Sequence, residues 1–424
     1  MGIIQFRKQK QYREEKTERL LSMDFILVML SAFGINFLGN SFVATMPLYT
    51  NLLTGSVAYG GIAVSVYSLT AIFARLAVGV LADKIGRVKL LVAGALLCSA
   101  TCLALGFTTS IVLLIGIRII SGIGFGMHST CAYATAGDIV PKKRLAEGVG
   151  YFGLANTLTQ MIGPAIALAI VSGGKVSDYR NLFFTVMFIC LVSAICSCGI
   201  TYERKRKKSG KQGNYESAES ASDEQADTSA TLPKTFLGIE YTAFAPGAVI
   251  VLVNVSVAGM MCYVAEFANW RGFSNSGLFF IVSAVGIFIS RLFLGRVVDK
   301  HGADIVNLPA LVFMVIGLAL LPLIPSSPAL IALAFPIGLC QGAIMPALNS
   351  IMFKRCTPAR RGTTSATYSS SIDTGYVIGA SVLGVVADMT DYGVMFWAAA
   401  ASCLLALAIY LLLASEKRWS KRRM

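Results

Sequence analysis

Twelve long apolar stretches, separated by shorter polar segments, run along the chain. Each holds roughly 20 residues or more, which is enough for a helix to cross the roughly 30 Å hydrocarbon core of a bilayer. The pattern predicts membrane-spanning helices over residues 24–47, 57–81, 89–108, 110–133, 148–171, 181–202, 243–267, 274–298, 304–324, 328–352, 364–387 and 391–414.

The predicted helices divide into two groups of six, residues 24–202 and 239–414. The fold class predicted is therefore an all-α membrane protein. Residues 203–238 separate the groups and have the polar, low-hydrophobicity composition of a disordered linker. Residues 1–23 and 415–424 are predicted to be short polar tails.

Composition supports a multi-pass membrane protein, since 55% of the 424 residues are apolar and only 14% are charged. With the N-terminus placed inside, 30 Lys and Arg residues fall in inner segments and 3 in outer loops. This bias predicts that both termini are cytoplasmic, and the short outer loops favour a bacterial plasma membrane. The net charge of +14 is thus a topology signal, and no nucleic-acid partner is expected.

The side chains needed for other function classes are missing from the sequence. It has two histidines, no CxxC pair, no P-loop and no convincing pairing of a nucleophile with a base. We therefore expect no metal site, no cofactor and no enzymatic activity.

An internal repeat relates the two groups of helices. Residues 75–86 read RLAVGVLADKIG and residues 291–302 read RLFLGRVVDKHG, with an offset of 216. The same offset relates three further glycine pairs, Gly122 with Gly338, Gly126 with Gly342, and Gly163 with Gly379. Two repeats of equal topology around a midplane cavity are typical of secondary transporters that rock between two states.

These motifs resemble those of the major facilitator superfamily. Residues 79–89 (GVLADKIGRVK) match its signature between helices 2 and 3, and residues 295–302 repeat that signature. Arg118 with the glycines after it resembles the arginine motif of helix 4, and residues 39–49 (GNSFVATMPLY) are similar to the drug-efflux subgroup. The resemblance implies two six-helix halves, alternating access in a lipid bilayer, a small-molecule substrate and a monomer.

The resemblance also implies a conformational latch at the inner ends of helices 2 and 8. Its candidate residues are Arg75, Gly79, Asp83, Gly86, Arg87, Asp138, Arg291, Gly295, Asp299 and Gly302. A carboxylate there can accept hydrogen bonds from the N-terminus of a neighbouring helix. The alternative is a tight turn without a latch, formed at Gly86 and Gly302.

Charged residues within the hydrocarbon zone are functional candidates, because each costs roughly 2.5–3.5 kcal/mol at the centre of a spanning helix. Asp373 lies near the predicted midplane, where it could bind and release a proton; the alternative is a fixed ion pair with Arg75. Arg118, His128 and Glu266 are further proton-coupling candidates. Their alternatives are bonds to backbone carbonyls, an interhelical hydrogen bond and a water-exposed rim position, respectively.

Uncharged polar residues at mid-helix depth are the candidates for the substrate cavity. They are Asn36, Asn40, Tyr67, Asn156, Gln160, Asn254 and Gln341, with interhelical hydrogen bonding as the alternative role. Gly163 and Pro164 predict a bend in helix 5 and resemble part of the antiporter signature.

The leading functional hypothesis is proton-coupled efflux of small amphipathic compounds. The alternative is an importer or exchanger of sugars or organic anions, which Arg118 would suit.

Overall fold

The computed structural model describes residues 22–140, 145–203, 235–236, 239–355 and 361–415. Residues 204–234, which make up most of the predicted linker, lie outside this description, as do most of the two predicted tails. The surroundings of Gly79 and Gly295 and the side chains of Asp83 and Asp299, four of the latch candidates, also lie outside it.

Twelve helices in the described ranges are long and apolar enough to cross a membrane, which confirms the predicted all-α fold. In chain order they are α1 Met23–Thr54, α2 Ala58–Ile85, α3 Arg87–Phe107, α4 Ile111–Ile139, α5 Leu145–Ile170, α6 Val176–Cys198, α7 Tyr241–Trp270, α8 Gly277–His301, α9 Asp304–Leu320, α10 Ser327–Arg355, α11 Arg361–Met389 and α12 Tyr392–Ile409. A two-residue antiparallel ladder, Thr235–Phe236 with Ile239–Glu240, precedes α7.

Several helices extend beyond their predicted ends. The first continues through Pro47 to Thr54, and the fourth reaches Ile139 rather than residue 133. Hydropathy marks only the part of a helix that lies in hydrocarbon, whereas backbone hydrogen bonding continues into the polar interface. The sixth helix is shifted toward the N-terminus, because it begins at Val176 rather than at residue 181 and ends at Cys198 rather than at residue 202.

The same packing scheme holds each half together. In the first half α2 packs on α4 and α1 on α5; in the second half α8 packs on α10 and α7 on α11. Glycines permit this close approach at equivalent positions. A Cβ added at Gly126 would lie 2.7 Å from the backbone oxygen of Ala71, and one added at Gly342 would lie 2.8 Å from that of Ile287. The offset of 216 relates both partners of this contact.

Two turns also repeat at the helix ends that the distribution of Lys and Arg predicts to be cytoplasmic; we call this side the inner face and the opposite side the outer face. Gly86 ends α2 with φ of 102° and Gly302 ends α8 with φ of 88°. Residues with a Cβ rarely adopt this backbone region, so glycine lets each helix turn directly into the next.

The two halves meet along two equivalent seams and one central contact. We call the α2 and α11 interface the first seam and the α5 and α8 interface the second seam; the repeat exchanges them. The helices α1 and α7 meet between the two seams. These three interfaces make up most of the contact between the halves, so they are where a transport pathway would open and close.

Candidate transport pathway

An ion pair crosses the first seam deep within the membrane-spanning region. The Arg75 guanidinium on α2 donates to the Asp373 carboxylate on α11, and the two side chains are 28% and 21% exposed. The guanidinium also lies 5.7 Å from the centroid of the Phe125 ring. Asp373 thus meets a cation from the opposite half, and its role as a proton carrier stays a prediction.

The equivalent place on the second seam holds a different contact. Arg291 on α8 is the repeat partner of Arg75, and Thr157 on α5 is the repeat partner of Asp373. Arg291 donates to the Thr157 hydroxyl. Among the described residues, no carboxylate lies within ion-pair distance of Arg291. The repeat has therefore kept both arginines and only one of the acids.

Both arginines face the space between the two halves. Tyr133 on α4 lies within electrostatic range of both Arg75 and Arg291, and Tyr368 on α11 lies within range of Arg291. Each arginine lies about 15 Å from the inner end of its helix, at 1.5 Å per residue. We call this region the inner vestibule, defined by Arg75, Tyr133, Thr157, Arg291, Tyr368 and Asp373.

A small central cavity lies between the halves and has a volume of about 20 Å³. A single water already needs about 10–15 Å³, so the cavity is too small for an organic substrate in this conformation. Its lining residues are Asn40, Val43, Gln160, Pro164, Met261, Phe280, Gln341 and Tyr376. Three of the predicted cavity residues, Asn40, Gln160 and Gln341, are therefore brought together.

The central cavity contains polar groups from both halves. The Asn40 amide donates to the Thr159 hydroxyl at 3.1 Å. The Gln341 side-chain oxygen is buried and has no hydrogen-bond partner within the described structure. That oxygen is therefore a buried acceptor without a donor in this conformation.

The other predicted cavity residues are not among the residues that line this cavity. The Asn36 and Asn254 amides each donate to a backbone oxygen of their own helix at 2.8 Å, those of Ala32 and Ile250. Asn156 is half-buried on α5 and Tyr67 is buried within the first half. Sequence position gives their depth but not the direction in which each side chain points.

Arg118 is fully buried, and the groups that it contacts belong to α1 and α2 of its own half. Its guanidinium carbon lies 4.1 Å from the Tyr67 ring centroid and 5.5 Å from that of Phe42, and its Nε donates to the Ala63 carbonyl at 3.3 Å. Cation–π contacts and a carbonyl bond are the partners seen in the described structure. Its suggested part in proton or anion handling stays a prediction.

His128 takes part in a buried hydrogen-bond chain. Its Nε2 lies 2.7 Å from the Ser31 hydroxyl, which in turn lies 2.6 Å from the Ser197 hydroxyl. The chain joins α4, α1 and α6 within one half. His128 does not line the central cavity.

The water-exposed rim position expected for Glu266 is wrong. Its side chain on α7 is only 6% exposed and accepts a hydrogen bond from the Asn51 amide on α1. The outer ends of α1 and α7 meet at this point, and that contact covers the carboxylate. Glu266 thus joins the two halves near the outer face.

A second contact near the outer face, on the first seam, is not among the predicted ones. The Asp388 carboxylate at the end of α11 accepts from the Ser56 hydroxyl and, at 3.0 Å, from the Val57 backbone N–H at the start of α2. The signal in the sequence is an acid directly after the predicted end of the eleventh helix; its partner is decided by the tertiary structure.

The second seam is open at its outer end. A pocket of about 510 Å³ lies there, with residues of α1, α5, α6, α7 and α8 in its wall. Ser172, the repeat partner of Asp388, lines this pocket together with Phe273, the repeat partner of Val57. At its outer end the first seam has the Asp388 carboxylate with its two hydrogen-bond donors. The equivalent place on the second seam has the Ser172 hydroxyl and a pocket.

A polar cluster lies at the inner face of the first half. Arg87 and Asp138 form an ion pair of 2.7 Å, and the Tyr202 phenol donates to Asp138 at 3.2 Å. Burial and the neighbouring Asp138 carboxylate raise the pKa of Tyr202. The Glu203 carboxylate accepts from the backbone N–H of Arg87 at 2.7 Å, which places an acid at the N-terminus of α3.

Glu203 falls within the predicted linker, so its contact with the N-terminus of α3 is not among the predictions. The acids predicted to lie at the N-termini of neighbouring helices are Asp83 and Asp299, whose side chains lie outside the described structure.

The predicted bend in helix 5 falls within a continuous helix. Pro164 lies inside α5, which runs on to Ile170. A Cβ added at Gly163 would lie 3.2 Å from that of Asn40, and the Ser41 hydroxyl donates to the Gly163 carbonyl at 3.2 Å. This glycine therefore serves close packing of α1 on α5, and the bend stays a prediction.

Comparison with protein-family models gives a match to the Major Facilitator Superfamily over residues 25–290 and 244–423. The overlapping matches cover both halves. The chain is 21% identical over 384 residues to the staphylopine export protein of Staphylococcus aureus, with 87% of this chain and 90% of that protein covered. It is 26% identical over 387 residues to the multi-drug resistance efflux pump PmrA of Streptococcus pneumoniae, with 86% and 90% covered.

The fold is similar to that of solved transporter structures. The nucleoside transporter NupG superposes with a TM-score of 0.69 at 13% identity, covering 93% of this chain and 99% of that one. At this identity the likeness concerns the fold alone.

Proposed function

Because the chain belongs to the major facilitator superfamily, we propose that it is a proton-coupled exporter of small amphipathic compounds that works by alternating access. The names of its relatives support the export direction, since one exports staphylopine and another is a multi-drug efflux pump. The observation that carries proton coupling is the Arg75–Asp373 ion pair across the first seam.

The ion pair supplies a physical route from protonation to movement. A protonated Asp373 loses most of its attraction for Arg75, so the contact between α2 and α11 weakens. A carboxylate that is nearly closed off in one state and open to water in the other changes its proton affinity between the two states. Proton binding and the opening of the first seam are thereby coupled.

The central cavity supplies the substrate side of the cycle. Its wall contains Met261, Phe280 and Tyr376 beside two glutamines, so it offers apolar surface with a few neutral polar groups. Such a lining suits amphipathic molecules. With the outer contacts of Glu266 and Asp388 made, widening this cavity toward the cytoplasm would load the substrate.

We further propose that the protein is a monomer in the cell membrane with both termini in the cytoplasm. The distribution of Lys and Arg, 30 in inner segments against 3 in outer loops, supports this orientation.

The test uses purified protein in proteoliposomes that contain a pH-sensitive dye. Ethidium, Hoechst 33342 and norfloxacin are added in turn to wild type and to Asp373→Asn. We expect at least one compound to trigger proton movement in the wild type and none in the variant. Asp391→Asn is the matched control, because that carboxylate caps α12 within one half. Substrate movement by both proteins without protons would overturn proton coupling, and no movement of any compound would overturn export of this class.

A further inference from the structure

The second seam carries an arginine without a matching acid. On the first seam, the charges of Arg75 and Asp373 cancel. On the second seam, the repeat partners are Arg291 and Thr157, and a hydroxyl is neutral. The described charges of the inner vestibule therefore sum to one positive charge, and they do so at a depth where an uncompensated charge is costly.

We propose that Arg291 is the recognition point for an amphiphile bearing a carboxylate, which enters the inner vestibule from the cytoplasm. The inference rests on the proposed export and names the class of its substrate. A bound carboxylate would take the place that Asp373 holds on the first seam, so that both seams are charge-balanced only when the substrate is present.

The surroundings of Arg291 leave it available to such a ligand. The residue is exposed although it lies well inside its helix, and Thr157 is its hydrogen-bond partner within the described structure. Guanidinium has five N–H donors arranged in a planar fork that fits a carboxylate. The Thr157 hydroxyl holds one terminal nitrogen, and that contact fixes the fork while the other donors remain available.

Apolar and aromatic surface lies beside this charge. Tyr133 is 53% exposed, and its ring centroid lies 4.5 Å from that of Phe152. Tyr368 on α11 lies within electrostatic range of Arg291. A ligand with a carboxylate at one end and a ring or short chain at the other would meet the arginine and the aromatic pair together.

Binding of a carboxylate has a consequence for the transport cycle. A negative group between α8 and Thr157 on α5 adds a contact across the second seam, whereas protonation of Asp373 removes one across the first. The substrate and the proton would thus act on opposite seams.

The test compares three probes that share one fluorophore: dansyl-phenylalanine, which carries a carboxylate, its neutral amide, and the cation dansyl-cadaverine. Accumulation is measured in proteoliposomes of phosphatidylcholine under an imposed pH gradient. We expect wild type to favour the carboxylate over the amide by about tenfold, the size of a charge-assisted hydrogen bond.

The variants then isolate Arg291. We expect Arg291→Gln to lose the preference for the carboxylate and to retain movement of the cationic probe. Thr157→Asp supplies the missing acid and should abolish the preference without removing the arginine, while Thr157→Ser should keep it. Elution as a single species in size-exclusion chromatography checks folding of each variant.

Several outcomes would overturn the inference. Equal accumulation of all three probes by wild type would show that the protein does not distinguish substrates by their charge, while the proposed export would stand. An unchanged preference in both Arg291→Gln and Thr157→Asp would place recognition elsewhere. A preference that disappears when phosphatidylglycerol is added to the vesicles would assign Arg291 to a lipid phosphate. If none of the probes moves, the proposed export fails with it.

Discussion

The two seams between the halves have the same backbone arrangement and different chemistry. The first seam is held by the Arg75–Asp373 ion pair and, at its outer end, by Asp388 with the start of α2. The second seam has Thr157 in place of the acid and a pocket of about 510 Å³ at its outer end. The first seam is thus joined by a carboxylate at two depths, Asp373 in an ion pair and Asp388 as a hydrogen-bond acceptor. The second seam is held mainly by packing.

The difference shows which features the repeat preserves. Glycines that let helices pack closely recur in both halves, because a side chain at those positions would collide with a neighbouring backbone. Acids at the seams do not recur, because a scaffold of close-packed helices does not need them. The asymmetry is therefore where we place coupling and substrate recognition.

The largest expected effect comes from disrupting the close helix packing at glycines that both halves share. Gly122→Leu and Gly338→Leu each place a side chain against the backbone of the packed helix, at Tyr67 and Ser283. Overpacking of this kind costs about 3 kcal/mol or more, and we expect both variants to be lost as folded protein. Thermal unfolding and size-exclusion chromatography of purified protein measure this.

The control for the glycine variants is Gly116→Leu, at a position where an added Cβ meets no atom within 4 Å. It should elute and unfold like the wild type. A folded Gly338→Leu beside an unfolded Gly122→Leu would contradict the equivalence of the two scaffolds.

A smaller effect should follow when the ion pair is moved from one seam to the other. Asp373→Thr leaves Arg75 without its acid; a fully buried pair loses about 3–5 kcal/mol in this way, and we expect about 2 kcal/mol for this partly exposed one. Adding Thr157→Asp should recover most of that loss, because the acid now meets Arg291. Thermal unfolding midpoints of the four proteins form a double-mutant cycle.

Thr157→Asn in the Asp373→Thr background is the matched control, since it adds bulk without charge. A double variant that is no more stable than Asp373→Thr alone, or no more stable than the Thr157→Asn control, would show that the seams are not equivalent in geometry.

The smallest expected effect concerns the outer seal. Asp388→Asn weakens hydrogen bonds to Ser56 and Val57 and should lower the free energy of unfolding by about 1 kcal/mol. It should also raise the labelling rate of Ser65→Cys in a cysteine-free background. Ser65 is buried on the first seam, where its hydroxyl donates to the Val377 carbonyl at 2.7 Å.

Asp391→Asn removes a similar carboxylate, one that accepts from the Val394 N–H within α12. It should cost about as much stability and leave labelling unchanged. Equal labelling in both variants would mean that Asp388 is a local cap and not a seal between the halves.

The internal repeat also predicts which positions on the two seams are equivalent. The offset of 216 pairs Thr157 with Asp373 as directly as it pairs Arg75 with Arg291, so the unequal seams could be read from the sequence. Glu266 and Glu203 could not be placed in this way. The burial of Glu266 depends on where the outer ends of α1 and α7 meet, and the role of Glu203 depends on how α6 ends beside α3.

The sequence by itself determined the number of spanning helices, the two equivalent halves and the depth of each charged residue, because bilayer thickness and helix rise set these. Only the tertiary structure decided which polar side chains face one another. It placed Asn40, Gln160 and Gln341 in one cavity, buried Arg118 against α1 and α2, and left a pocket at the outer end of one seam while the outer end of the other is joined. Rotation about each helix axis and contacts between distant helices decide such features, and neither is fixed by hydropathy or by spacing along a single helix.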